Sequence, residues 1–183
     1  MATTSKLVTY DEWLNMPEVS DAIEEVVNGE IRIMPPWKLV HTLVAHALKH
    51  ILEDQLDRKT FYVLGTQFGL VIRRDPLTSR VPDLAVFRKS NMVVLDGYVH
   101  SAPELTVEVL SPGDTRSERE GKLRDYESLG VPEVWVLSPE ARTIEVLQFE
   151  NGKLRTVNVA RDGQLHLKQF PDVVVDVASV WPD

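Results

Sequence analysis

The sequence predicts a single α+β domain, a mixed β-sheet flanked by helices, and three observations predict it. Apolar residues recur at helical spacing between positions 40 and 56. A second helix is signalled at both ends between 115 and 129. Short β-rich runs bounded by Gly, Pro, Asp or Ser fill most of the remainder. At 183 residues, with no linker, repeat or low-complexity segment, one domain is the simplest division.

Taken in order, Thr9-Tyr10-Asp11-Glu12 reads as a capping box opening a short helix that ends near Pro17. Ile23 to Met34 reads as a hairpin turning at Asn28-Gly29, with Pro35-Pro36 stopping its second strand. In the long helix, Val40, Leu43, Val44, Ala47, Leu48, Ile51, Leu52 and Leu56 form one core-facing stripe. Phe61–Leu64, Phe68–Ile72, Val81–Phe87 and Leu105–Leu110 read as strands. Thr115 or Ser117 caps the second helix, Glu118 and Glu120 suit its positive end, and Gly130 closes it. Strands follow at Val134–Leu137, Thr143–Phe149, Leu154–Val159 and Val173–Val175, with Glu150-Asn151-Gly152-Lys153 as a hairpin turn. Val177 to Trp181 forms a last helical turn.

The balance of charge narrows the function classes. With 20 Lys+Arg against 28 Asp+Glu the net charge is −8, which argues against a general nucleic-acid coat protein. There is no cysteine, hence no disulfide, thiolate metal site or cysteine nucleophile, which fits the cytoplasm. No apolar run reaches the ~20 residues that span a bilayer, and Met1 to Lys6 lacks the apolar core of a leader. His46 and His50 stand four apart, but Ala47 occupies the place of a metalloprotease glutamate. Gly121-Lys122 is followed by Leu123 rather than Ser or Thr, so it is no phosphate loop.

One constellation remains. Alternation places Asp83, Ala85 and Phe87 on one face of a strand, and Glu104, Thr106, Glu108 and Leu110 on one face of the next. Asp83 and Glu108 then point the same way. A carboxylate among buried valines is costly unless paired, so it needs a cationic side chain or a metal. Lys122 and Tyr126, four apart on the second helix, share a face that can overhang the pair. Glu25, beside the Asn28-Gly29 turn, is a further carboxylate. Oxygen ligands of this kind suit Mg²⁺ or Mn²⁺, and two carboxylates with a lysine are a minimal kit for phosphodiester hydrolysis. A plain salt bridge from Lys122 to Glu108 or Asp83 is the competing reading.

The ordered series Pro82-Asp83, Glu108-Val109-Leu110-Ser111-Pro112, Lys122 to Tyr126, and Gly130-Val131-Pro132-Glu133-Val134-Trp135 resembles the PD-(D/E)XK nuclease superfamily. More narrowly, it resembles a bacterial restriction endonuclease family within it. Glu25 to Glu30 and His41 after Pro35-Pro36 are similar to that family's opening hairpin and helix. The likeness runs from about Ile23 to Phe149. It implies a restriction-endonuclease-like core over about 38–149, preceded by a helix and hairpin over 9–34 and followed by strands over 154–181. It implies that Asp83 and Glu108 ligate Mg²⁺ and that Lys122 is the catalytic lysine. Glu25, His41 and Tyr126 are accessory residues in this reading, DNA is the substrate, and a homodimer is the acting form. The chain departs from the superfamily at Leu110, where the motif's lysine ordinarily stands, so Lys122 must reach the site from the helix.

Two rivals stand beside the nuclease. One keeps the fold as a non-catalytic binding or regulatory module. The other makes the chain a structural or oligomerising protein with an incidental acidic cluster. The scattered Arg73-Arg74, Arg80, Arg88-Lys89 and Arg116 to Arg124 form no basic stripe in the sequence.

Overall fold

Asn28 and Gly29 take φ of 52° and 83°, the two left-handed residues of a type I′ hairpin. Gly29 is required twice over, because a Cβ there would lie 2.9 Å from Leu7 Cβ. The turn joins β1 (Ile23–Val27) to β2 (Glu30–Met34) in antiparallel register. Ahead of it, the predicted capping box opens α1 (Tyr10–Leu14). The computed structural model describes residues 7–17, 22–34, 37–66 and 68–182. The segment read as lacking a leader, 1–6, and the strand stop at Pro35-Pro36 lie outside the described residues.

After the hairpin come α2 (Leu39–Gln55), β3 (Phe61–Gly65), β4 (Leu70–Arg74), β5 (Leu77–Arg80) and β6 (Leu84–Arg88). The short β7 (Val94–Leu95) and β8 (Tyr98–Val99) lead to β9 (Leu105–Val109) and α3 (Arg116–Leu129). The chain closes with β10 (Glu133–Ser138), β11 (Thr143–Glu150), β12 (Lys153–Ala160), β13 (Gln164–His166), β14 (Val174–Asp176) and a 3₁₀ turn at Val177–Val180.

These strands divide between two six-stranded sheets, β2-β1-β5-β4-β8-β7 and β12-β11-β10-β9-β6-β3, with β13-β14 as a separate pair. The first sheet exists because β1 pairs with β5, an unread strand some fifty residues away. The second is mixed, since β9 and β10 run parallel across the α3 connection while its other pairs are antiparallel. The run read as one strand from Val81 begins only at Leu84, because Pro82 has no N–H to give a ladder.

The second sheet buries both faces. Leu84, Val86, Leu105, Val107 and Val109 pack against Val44, Leu48 and Leu52 of α2 and against the C-terminal strands. The other face, with Ala85, Phe87, Val134 and Val136, packs against Tyr126 of α3 and Leu70 of the first sheet. Full burial of each such leucine contributes about 1.5–3 kcal/mol. The α2 stripe is shorter than expected, because Val40 and Leu43 are exposed and His41 is the buried residue of the helix's first turn. On α3 both ends are as read: Thr115 and Glu118 form a capping box, and Gly130 closes the helix at φ 79°. That helix crosses the face carrying Asp83 and Glu108.

Candidate active site

Asp83 and Glu108 lie on neighbouring antiparallel strands whose register pairs Leu84 with Val107. Continued by one residue, that register sets the two carboxylates side by side on the α3 face. Asp83 is 2% exposed and Glu108 8% exposed. They form the floor of a cavity of about 470 Å³ bounded by the β1–β2 hairpin, the 109–114 loop and α3.

Asp83 is held through one oxygen and Glu108 through both. Asp83 Oδ2 accepts the Val109 N–H at 2.7 Å and lies 3.1 Å from His41 Nε2. His41 is buried and stacks on Trp37 with ring centroids 4.3 Å apart. Asp83 Oδ1 is buried and accepts no hydrogen bond among the described residues. Glu108 Oε2 accepts from Lys122 Nζ at 2.7 Å, and Oε1 accepts the Tyr126 hydroxyl. Lys122, four residues before Tyr126 on α3, therefore reaches the site, and Nζ also stands 3.4 Å from Glu25 Oε1. All six residues singled out in the sequence converge here.

Two residues that the sequence reading passed over complete the cluster. Arg80, 4% exposed, donates to Glu25 Oε2 at 2.8 Å and, through Nε and Nη2, to Asp125 Oδ2 at 2.8 and 2.7 Å. Arg80 thus ties β1, β5 and α3 together. Asp125 had a sequence signal, since it falls three residues after Lys122 on the same helical face. Arg80 had only its place two residues before Pro82.

The electrostatics follow from crowding. Four carboxylates, Glu25, Asp83, Glu108 and Asp125, meet two cations, the buried Arg80 and the partly buried Lys122, with Arg73 at the margin 3.3 Å from Asp125. Burial pushes Glu108 up to about 7; Lys122 opposes that rise and Asp83 and Glu25 add to it. Burial also pushes Lys122 down, but Glu108, Glu25 and Asp83 outweigh it, so the ammonium is held more firmly than usual. Glu25 is raised by burial yet ends below the ordinary range, because Lys122 and Arg80 favour its charge. Burial, then Glu108, keeps the Tyr126 hydroxyl protonated.

The raised Glu108 value sets a pH dependence with a definite sign. Between its ordinary 4.5 and about 7 the folded protein binds more protons than the unfolded chain. Stability therefore falls as pH rises through that window. Urea unfolding of metal-free protein between pH 5 and 8 should show this fall, on the order of 3 kcal/mol. Glu108→Gln should flatten it, and an equal slope in both proteins would refute the assignment.

The donor set fits a hard divalent cation. Asp83 Oδ1 is a buried carboxylate oxygen without a hydrogen-bond partner among the described residues, and Glu108 Oε2 has a second lone pair beyond that used by Lys122. Among the described residues no three His, Asp or Glu form a ready-made metal cage. Mg²⁺ commonly takes only one or two carboxylates, filling its octahedron with water and substrate oxygens.

Against solved structures, the chain is similar to a protein from Anabaena variabilis described as "a putative nuclease belonging to DUF820". The two share 19% identity and a TM-score of 0.77, over 94% of this chain and 97% of that one. At that identity the likeness shows the fold. No curated protein matches the sequence. No helix among the described residues is long and apolar enough to cross a membrane. The family model described as "putative restriction endonuclease" (Uma2) matches residues 9–178, nearly the whole chain from the first capping box to the last 3₁₀ turn, and the chain belongs to that family.

Proposed function

We propose that the protein is a metal-dependent endonuclease that hydrolyses DNA phosphodiester bonds, with Asp83 and Glu108 as the Mg²⁺ or Mn²⁺ ligands and Lys122 as the catalytic lysine. The observation that carries this reading is Asp83 Oδ1, buried and unpartnered beside Glu108 at the floor of a cavity. When held by Asp83 and Glu108, a divalent ion would supply Lewis-acid chemistry, polarising the phosphoryl group and acidifying an attached water. Hydrolysis forms one P–O bond to the water oxygen and breaks the P–O bond to the leaving sugar oxygen, which takes up a proton. The Lys122 ammonium supplies positive charge where the phosphoryl oxygens gain negative charge. Val109 N–H and His41 fix Asp83, Tyr126 fixes Glu108, and Glu25 with Arg80 positions Lys122 from the side of the first sheet.

Isothermal titration of Mn²⁺ into wild type and Asp83→Ala tests this, with cleavage of supercoiled plasmid and single-stranded circular DNA by the same samples. Saturable binding and cleavage, both lost in the variant, are expected. Titrations that coincide, with neither DNA cut, would overturn the reading. A second reading, a nuclease-fold module that binds without cutting, draws on one observation. Lys122 Nζ is already engaged by Glu108 and Glu25. Metal binding without cleavage of either DNA would favour it. The same proposal takes the protein to act as a cytoplasmic homodimer, for which exposed Leu39, Val40 and Leu43 offer apolar surface. Light scattering of the purified protein reads the mass directly.

A further inference from the structure

We infer that the site takes a single, unpaired DNA strand, with one nucleotide drawn into the cavity rather than an intact duplex laid across its mouth. The inference rests on the endonuclease reading and names its substrate class. Three observations carry it.

The first is depth. With Asp83 2% exposed, a phosphodiester reaches Oδ1 only by entering the cavity. A volume of about 470 Å³ lies within the roughly 300–1,000 Å³ of pockets that enclose a small organic group. A base that follows its phosphate into such a pocket must leave its stack and its partner, as it does in enzymes that do chemistry on a base, and an unpaired strand meets that cost most cheaply.

The second is the wall. Met34, Trp37, Leu110 and Leu123 line the cavity beside the acids. Apolar and aromatic side chains give a base a face to rest on without reading its sequence. Stacking on His41 at 16° between ring planes fixes the Trp37 ring before any ligand arrives, which reduces the ordering cost of binding.

The third is charge. Arg32, Lys38 and Arg119 line the same cavity, alongside Asp114 and Glu118. They suit a few phosphates of one strand entering and leaving. A duplex held by its backbone needs a broad basic face, which accords poorly with a chain of net charge −8.

The test uses one fluorescein-labelled oligonucleotide, alone or annealed to its complement. Wild-type protein is followed by anisotropy in EDTA and by cleavage in Mn²⁺. The single strand should bind at least about tenfold tighter and be cut faster. Trp37→Ala should lose about tenfold in single-strand affinity, the typical cost of one lost stacking partner. Trp37→Phe should retain most of that affinity. Circular dichroism checks that both variants fold, and should Trp37→Ala fail, the wild-type ratio alone decides. A duplex bound and cut as well as the single strand overturns the inference and leaves the endonuclease reading intact. Failure to cut either DNA removes both.

Discussion

Arg80→Met should destabilise the protein by about 3–5 kcal/mol, the usual penalty for removing one partner from a buried charge network. The guanidinium is 4% exposed and satisfies Glu25 and Asp125 at once. Without it, two carboxylates remain inside the protein, Glu25 with Lys122 and the Val81 N–H beside it and Asp125 with the partly exposed Arg73. Urea midpoints for wild type and variant measure the loss. Adding Glu25→Gln and Asp125→Asn to Arg80→Met should restore much of it, because a neutral cluster carries no unpaired charge. A loss under about 1 kcal/mol from the single change would mean that the three groups are solvated in solution.

The second large effect is on catalysis. Lys122→Met should lower kcat for DNA cleavage on the order of 10²–10³-fold, the scale seen when one preorganised donor to a developing charge is removed. KM should change little, since an interaction made mainly in the transition state leaves ground-state binding alone. Mn²⁺ affinity, read at a pH high enough to ionise Glu108, should not fall, because the change frees Glu108 Oε2 from its 2.7 Å contact. Deleting the ammonium also leaves Glu25, Asp83 and Glu108 facing one another. The Glu108 pKa should then rise further, having lost the group that now opposes its rise. A kcat within threefold of wild type would exclude Lys122 from the reaction.

How much of this was legible before the fold was known depends on distance along the chain. Thr9 with Glu12, Thr115 with Glu118, and Asn28-Gly29 are local signals, settled within four residues, and the structure has all three. The shared face of Asp83 and Glu108 was also readable, because strand alternation and one antiparallel pairing suffice to set it. Lys122 was placed by the helical spacing to Tyr126. The separate first sheet was not legible: β5 is four residues long, Leu77–Arg80, and is buried on both faces, so it shows no alternation. With β5 unread, Arg80 stayed among the scattered basic residues, although it is the side chain that joins β1 to α3. Trp37 was invisible for a different reason. A lone aromatic before a helix carries no period, and only the packing of its ring on His41 gives it a place.

The Arg80 bridge also bears on the order of events during synthesis and folding. Its bonds to Glu25 and Asp125 close loops of 55 and 45 residues, and such long-range contacts form late and slow the folding of a chain. A nascent chain ending before α3 carries Glu25, Asp83 and Glu108 without the lysine. A fragment starting after β1 keeps the lysine and lacks Glu25. Neither piece assembles the cluster, so the candidate site takes shape only when both ends of the chain are in place.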